Sequence, residues 1–315
     1  MRGELRSPSG ESIALPELTA WQLTHTDGRS ADSFEISFPT RRDLLPRLQR
    51  GAEFYANEGS SVVFRGVVDE AEALWADAFT TTLCGRGLAA RLMDNQAEGA
   101  QYFNLDMAAV LDGYVRPFGI DRIRVEGGPW RAQMVSVGAG SSCRAVLEGF
   151  CRLTGAPQPR FAPDGTLLIA RSAAVHSLGE EDVLAAKWRL CRYGVITEQR
   201  MYDLTTGAVQ IVRSPALESY GIRSRRIATR SGPFTHITER SARRRIMDAA
   251  ANLETLELML PGTSAIGCCD TIRLTLPELA AEGEFAVAEV CRRFDGRSET
   301  TRLLLRRKEE AYVDF

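Results

Sequence analysis

The chain has 315 residues, of which 44% are apolar and 25% are charged, and we expect a chain of this length to bury two or three separate cores. Its formal net charge of −2 argues against a strongly basic nucleic-acid binder and against a strongly acidic, solvating protein. No apolar run approaches the ~18 residues of a membrane helix, and the N-terminal residues lack the apolar core of a signal peptide. We therefore expect synthesis in the cytoplasm and no membrane segment.

Antiparallel β structure is predicted for residues 1–84. Leu18–Thr26 and Ser33–Phe38 flank Asp27 and Gly28, and apolar and polar residues alternate in the second segment. This period of two is typical of a half-buried strand, and the pair predicts a hairpin. Three further strands are predicted at residues 52–57, 61–73 and 79–84, so that the region forms a small sheet or barrel.

The apolar period changes to that of helices after residue 84. Asp106 can cap a helix that ends near Pro117 and Gly119, and Gly140–Ser142 can cap a second one. In the second helix, apolar residues recur at positions 143, 146, 147, 150 and 151, which is helical spacing. The turn Pro163–Gly165 then leads into a strand at residues 166–171. Residues 85–175 are therefore predicted to form an α/β insert.

Residues 176–315 return to β structure with one helix. The helix is predicted at residues 238–252, and strands at 195–203, 207–212, 253–260, 270–276, 284–294 and 300–306. The segment from Phe64 to Leu83 resembles the one from Phe285 to Leu303, which suggests a duplicated β domain. We expect Ser33–Phe38 and Thr300–Arg306 to be sheet edges that pair between subunits, since unpaired edges favour aggregation.

Cysteines and histidines give no sign of a metal site or of a disulfide framework. The seven cysteines are scattered without a CxxC pair, and only Cys268 and Cys269 are adjacent. His25, His176 and His236 stand alone, whereas zinc needs paired ligands. We interpret the cysteines as small buried thiols and expect no catalytic role for any of the three histidines.

Two glycine-rich segments lack the motifs of phosphate or nucleophile sites. Gly85–Gly87 fits neither GxGxxG nor GxxxxGK[ST], so we interpret it as a turn at a domain boundary. We expect Gly85 and Gly87 to adopt turn conformations in which a β-carbon costs ~1 kcal/mol or more. Ser136–Ser142 does not fit G-x-S-x-G and is interpreted as a helix N-cap.

Charged clusters are interpreted as surfaces. Asp69–Glu72 and Glu180–Asp182 each gather carboxylates, but proximity in sequence does not make an acid/base pair. Arg213–Arg245 is the densest basic region, yet it contains few aromatic residues. A solvated or subunit-facing surface is therefore favoured over nucleic-acid binding.

Several segments in one order resemble the baseplate hub proteins of phage tails and of related contractile injection machines. The resemblance rests on the order and spacing of these segments and covers most of the chain. The segments are Ser33–Phe38, Phe64–Asp69, Cys84–Asn95, Tyr114–Ile120, Val137–Cys151, Gly283–Val290 and Thr300–Thr301. The family-motif positions that we interpret as structural are Phe64, Gly66, Gly85, Arg86, Gly87, Asp94 and Asn95.

The resemblance implies an α+β, mainly β fold with two tube-type β-barrel domains, at residues 1–84 and 176–315, around an inserted α/β domain at 85–175. It implies a homotrimeric ring in a virion or tail-like particle that adapts the hexameric tail tube to the central spike or tip. Expected partners are other copies of the chain, the tail tube protein, the spike or tip protein and other baseplate proteins. The tape measure protein or DNA is expected to pass through the channel. The family brings no catalytic, cofactor-binding or metal-binding residue to this chain.

Two other functions stay open from the sequence. One is a tail-associated peptidoglycan hydrolase with an unrecognised site, which turnover of purified peptidoglycan would reveal. The other is a soluble bacterial enzyme with a chance resemblance, which a stable and active monomer would favour.

Overall fold

The computed structural model describes residues 1–48, 51–172, 174–230, 239–279 and 281–308. The fold is α+β and mainly β, as the sequence predicts. It contains two β regions, an insert between them, and a small helix-and-sheet unit within the last third of the chain.

The first β region is an antiparallel sheet. Its elements are β1 (Arg2–Arg6), β2 (Ser12–Ala14), β3 (Ala20–Thr26), β4 (Ser33–Pro39), α1 (Leu45–Leu48), β5 (Glu53–Glu58), β6 (Ser61–Trp75) and β7 (Phe79–Gly87). The strand order is β3-β4-β7-β6-β5-β1-β2. Alternate residues of β4, Phe34, Ile36 and Phe38, point into a core that also holds Phe54 and Phe64. The predicted hairpin of β3 and β4 is confirmed.

The insert is built on two capped helices. Its elements are α2 (Ala89–Met93), β8 (Ala100–Asp106), α3 (Met107–Tyr114), β9 (Ile123–Val125), β10 (Arg131–Val137), α4 (Cys143–Thr154), β11 (Arg160–Phe161) and β12 (Leu167–Ile169). Asp106 accepts a hydrogen bond from the amide of Ala109, and Ser142 accepts one from Ala145, so both predicted N-caps are confirmed. The left-handed Gly155 ends α4. Both helices pack into one core with Leu167.

The second β region follows the insert. Its strands are β13 (Val175–Leu178), β14 (Ala185–Leu190), β18 (Glu254–Pro261), β19 (Thr271–Leu276), β20 (Ala281–Phe294) and β21 (Glu299–Arg307). Their order is β14-β18-β21-β20-β19-β13. The core between them contains Leu256, Phe285 and Leu303, all fully buried.

A separate unit lies between β14 and β18 in sequence. It consists of β15 (Glu198–Asp203), β16 (Val209–Arg213), α5 (Pro215–Glu218), β17 (Arg225–Arg230) and α6 (Glu239–Ala250). The sheet has the order β16-β15-β17, and one face of α6 packs against it through Ala242, Ile246 and Met247. The predicted amphipathic helix is confirmed from Glu239 onward; its predicted start at Thr238, like residues 309–315 of the predicted last domain, lies outside the described residues.

Strand order repeats between the two β regions. In the first, β3-β4-β7-β6-β5-β1 follow one another, and in the second β14-β18-β21-β20-β19-β13 do so. Both long strands carry a β-bulge at the same place, between Val68 and Glu70 in β6 and between Val287 and Glu289 in β20. The predicted similarity of the two regions is therefore present in their topology, with the difference that β1 is antiparallel and β13 parallel to its neighbour.

Two expectations about sheet edges are wrong. Ser33–Phe38 lies in β4, which pairs with β3 and β7, and Thr300–Arg306 lies in β21, which pairs with β18 and β20. Both strands are therefore interior. Whether a strand is an edge depends on which distant segments lie beside it, and its own sequence pattern does not carry that information.

Candidate assembly surfaces

Three motif glycines lie where β6 and β7 approach each other closely. A β-carbon on Gly85 would lie 2.0 Å from the carbonyl oxygen of Val67, and one on Gly66 would lie 2.4 Å from that of Arg86. A β-carbon on Gly87 would lie 2.8 Å from Cβ of Asp32. Gly85 and Gly87 lie within β7 without a positive φ, so the predicted turn conformations are wrong. Gly66 and Gly85 are required for a different reason, the close approach of two backbones next to the bulge, and Gly87 is required because the side chain of Asp32 packs against it.

The charged motif residues join the bulge to the insert. Arg86 donates paired hydrogen bonds to Asp69, at 2.7 and 2.9 Å, and to Asp94, at 3.0 and 2.9 Å. These contacts raise the pKa of Arg86 and lower the pKa of Asp94. The amide of Asn95 donates to the carbonyl of Arg91 at 2.7 Å, at the end of α2. The arrangement fixes the exit of β7 against α2.

Phe64, the remaining motif residue, packs in the aromatic centre of the first region. Its ring centroid lies 5.5 Å from that of Phe34 and 5.2 Å from that of His25. His25 is inside this packing, with Nε2 3.1 Å from the carbonyl of Val63. All seven motif residues thus make contacts that position backbone or fill a core, at one end of β6 and β7.

A serine, an aspartate and a histidine meet in the second region without the order of a hydrolytic triad. Nε2 of His176 lies 3.1 Å from Asp270, and the hydroxyl of Ser172 donates to the other oxygen of that carboxylate at 2.5 Å. In a triad the serine is hydrogen-bonded to the histidine, which removes its proton. Here the carboxylate lies between the two. His236 lies outside the described residues.

Thiols and metal ligands offer no other chemical centre in the described ranges. Burial raises the pKa of Cys151 to about 12 and raises the pKa of Cys268, so that both thiols are protonated at neutral pH. The seven cysteines are free. No group of three His, Cys, Asp or Glu side chains is placed to hold a metal among residues that the structure describes. Within the same ranges, no helix is both long and apolar enough to cross a membrane.

A joint between β3 and β20 connects the two β regions. Trp21–Thr26 pairs antiparallel with Glu289–Phe294, which joins both regions into one sheet. The rings of Trp21 and Phe294 lie 6.3 Å apart, and the guanidinium of Arg292, which lies over Trp21, is 2.5 Å from Glu58. Backbone pairing, aromatic contact and an ion pair therefore act together at this joint.

In the repeated strand order, the strands that are equivalent to β3 and β20 each have one side without a paired strand among the described residues. The strand order makes β6 the counterpart of β20 and β14 the counterpart of β3. Among the described strands, β6 pairs only with β7 beyond Val68, and β14 pairs only with β18. Both present exposed apolar side chains nearby: Leu74 and Trp75 are 58% and 81% exposed, and Leu184 and Trp188 are 62% and 44% exposed. We call Glu70–Trp75 the β6 edge and Ala185–Leu190 the β14 edge.

Sequence reasoning misses both open edges. It predicts the β6 strand only to residue 73, and it does not predict β14 at all. A signal is present in each, because tryptophan stands out in a charged surface strand and large exposed apolar side chains mark contact sites.

Similarity to known proteins appears at the level of the fold. The sequence matches no protein-family model and no curated protein. The 43 kDa tail protein of prophage MuSo2 from Shewanella oneidensis is similar, with 15% identity, a TM-score of 0.79, and coverage of 99% of this chain and 100% of that one. The tail protein from Neisseria meningitidis MC58 has 15% identity, a TM-score of 0.78, and coverage of 98% and 96%.

A third similar structure comes from a secretion machine. It is an Escherichia coli component of the type VI secretion system, c3393, which is itself structurally similar to the bacteriophage T4 tail proteins gp27 and gp5. Identity is 10%, the TM-score is 0.59, and the match covers 94% of this chain and 75% of that one. Since the two tail proteins match over almost their whole length, the chain has the fold of phage tail proteins.

Proposed function

We propose that this chain is the structural baseplate hub of a phage tail or of a phage-tail-like injection machine. Three copies close a ring that adapts the hexameric tail tube to the central spike or tip. Residues 1–84 and 176–315 supply the two tube-type domains of each copy, and the insert at 85–175 lies outside the ring. The fold shared with solved tail proteins supports this assignment.

The observation that carries the proposal is the pair of open edges. Within one copy, the β3–β20 joint connects the second region to the first. Because β14 and β6 are the counterparts of β3 and β20, the same joint can form between the β14 edge of one copy and the β6 edge of the next. Such a head-to-tail contact uses two different surfaces and generates a closed ring when the rotation closes. Three copies then contribute six similar β regions, which match a six-fold tube.

If the contact between copies has the same residue pairing as the β3–β20 joint, side chains of opposite charge lie opposite each other across it. Within the chain, Cys291 pairs with Thr24. The equivalent positions in the repeated strand order are Glu72 and Arg189, so Glu72 of one copy would lie opposite Arg189 of the next. Opposite charges facing each other across a strand pair are favourable. The same equivalence places Leu74 opposite Lys187 of the next copy, and Trp75 takes the position of Phe294.

Further partners follow from the place of the ring in a tail. The tail tube protein contacts one face, the spike or tip protein and other baseplate proteins contact the other, and the tape measure protein or DNA passes through the channel. The chain is then a component of the particle, and its role requires no chemical turnover. The alternative of a peptidoglycan hydrolase gains no support from Ser172, His176 and Asp270, because the serine contacts the carboxylate instead of the imidazole.

A charge exchange tests the ring. We expect Glu72→Arg and Arg189→Glu each to weaken self-association at least tenfold, because each puts like charges face to face, and we expect the double variant to restore it. Light scattering coupled to size exclusion measures the mass of the full-length chain, and Glu180→Arg, at an exposed site on another segment, is the control. Single variants that assemble like the unchanged chain, or a wild-type chain that stays monomeric at all concentrations, would contradict the proposal. Turnover of purified peptidoglycan by the chain would favour the hydrolase instead.

A further inference from the structure

A cavity of about 500 Å³ lies where both β regions, the insert and α6 meet. Its walls come from the end of α4, from the segment after β12, from α6, from the middle of β20 and from the end of β21. Apolar side chains such as Met247 and Val287 form part of the wall. Its volume lies within the ~300–1,000 Å³ range of small-molecule sites.

Basic side chains dominate the charge of this cavity. They are Arg29, Arg152, Arg171, Arg240, Arg244 and Arg306–Lys308, whereas Asp27 is the one acidic residue among the described lining residues. Some of this charge is compensated: Arg307 contacts Glu254 and Lys308 contacts Glu284. Asp27 contacts both Arg29 and Arg306, and Asp248 contacts both Arg29 and Arg244. Each of these two carboxylates is therefore shared between two guanidinium groups.

Two of the arginines have no carboxylate partner within the described ranges. Arg240 donates to the carbonyl of Thr154, at 3.0 Å, and Arg171 is exposed at the cavity wall. Arg152 reaches Glu148 at 3.8 Å, but that carboxylate is already bonded to Arg144 at 2.6 Å. Burial, together with the charge of Arg29, lowers the pKa of Arg306 in spite of its contact with Asp27. The cavity thus holds an excess of positive charge over the carboxylates of the described residues.

We propose that this cavity is a binding site for a small anion that carries two or more phosphate groups. Guanidinium groups form paired hydrogen bonds with phosphate oxygens, and several of them from different walls match an anion with more than one phosphate better than a single carboxylate. The anion would connect α4 of the insert, α6 and β21, which belong to three different cores. Binding at this position ties those parts of the chain together and stabilises the folded form.

Thermal unfolding of the full-length chain tests this site with inorganic phosphate, pyrophosphate and tripolyphosphate, each against potassium chloride at matched ionic strength. We expect the midpoint of unfolding to rise in the order phosphate, pyrophosphate, tripolyphosphate. Calorimetric titration of tripolyphosphate should show an affinity at least tenfold weaker in Arg171→Gln and in Arg240→Gln. Arg41→Gln, which removes an exposed arginine of the first region, is the matched control and should bind like the unchanged chain.

Three results would overturn the proposal. Matched potassium chloride could stabilise the chain as much as tripolyphosphate does, which would mean general screening. Citrate could bind as tightly as tripolyphosphate, which would mean a carboxylate site. Arg41→Gln could weaken binding as much as Arg171→Gln and Arg240→Gln do, which would mean non-specific attraction to the whole surface. None of these outcomes depends on whether the chain forms a ring.

Discussion

At the scale of single residues, the sequence identifies the glycine positions that matter, but the structure is needed to show that they lie where β6 and β7 approach closely. The motif pattern singles out Gly66, Gly85 and Gly87, and for Gly85 and Gly87 the sequence predicts a cost for a β-carbon that arises from a turn. The turn is wrong because β7 continues to Gly87 before α2 begins. The bulge at Val68 and Glu70 depends on how two strands are paired, and no local pattern in either strand encodes that pairing.

Gly85→Ala should destabilise the chain by about 1–3 kcal/mol, because the new β-carbon would lie 2.0 Å from the carbonyl oxygen of Val67. Gly113→Ala is the matched control: Gly113 lies in α3, nothing lies within 4 Å of the position that a β-carbon would take, and alanine should be neutral or gain about 0.5–1 kcal/mol. Urea unfolding of both variants gives the two free energies. Equal stabilities would contradict the close approach at the bulge.

Glu53 should make stability depend on pH. Burial raises the pKa of this carboxyl group, but the hydrogen bond from Tyr55 and the charges of Arg65 and Arg91 outweigh burial and hold it below its ordinary value. A carboxyl group whose pKa is lowered by folding stabilises the folded state above its ordinary pKa, and the contribution is lost as pH falls through the folded value. The unchanged chain should therefore lose more stability than Glu53→Gln between about pH 5 and pH 3.

Unfolding free energies at several pH values measure this difference. Glu180→Gln, at an exposed position, is the control and should keep the slope of the unchanged chain. If Glu53→Gln shows that same slope, the contacts with Tyr55 and Arg65 do not hold the charge as the structure indicates.

At the scale of elements, the sequence predicts the hairpins and helix starts, because these depend on residues close together in the chain. The hairpin of β3 and β4 follows from alternation around Asp27 and Gly28, and the start of α4 from the cap residue Ser142. The strand β14 is not predicted although Ala186, Trp188 and Leu190 alternate with Lys187 and Arg189, because the segment is only six residues long and no turn signal marks it as half of a hairpin. The two expected edges are wrong because neighbours in a sheet are chosen by distant parts of the chain.

Tryptophans at the two open edges should matter for assembly and not for folding. Trp75→Ser and Trp188→Ser remove large apolar side chains that are 81% and 44% exposed in the single chain. We expect each variant to weaken self-association while the unfolding midpoint of the monomer stays nearly unchanged, since buried aromatic anchors contribute most at interfaces. Tyr193→Ser is the control, because Tyr193 is 95% exposed and belongs to neither edge. The proposal fails at this point if the tyrosine variant loses as much association as the tryptophan variants.

At the scale of the whole molecule, the two β regions repeat one strand order and are joined to each other at β3 and β20. The proposed ring uses the same kind of joint a second time, between copies. The sequence suggests the duplication of the β domain through short similar segments. In the structure, the duplication appears as one closed joint at β3 and β20 and two open counterparts, the β6 edge and the β14 edge. Because the proposed contact between copies has the same register as the β3–β20 joint, equivalent residue pairs at the two joints should accept the same substitutions.

A disulfide across the proposed contact would reveal the number of copies in the ring. Register transfer places Leu74 of one copy opposite Lys187 of the next, so Leu74→Cys and Lys187→Cys in one chain should form a disulfide between copies under mild oxidation. In a closed ring of three, covalent dimers and trimers appear and the trimer is the end product, because every edge is then used. Each single-cysteine variant is a control for the native thiols and should give no ladder. Denaturing gel electrophoresis and native mass spectrometry measure the size of the cross-linked products. A ladder that continues beyond the trimer indicates an open filament, and a product that stops at the dimer indicates a two-fold contact. Either result would contradict a three-membered hub.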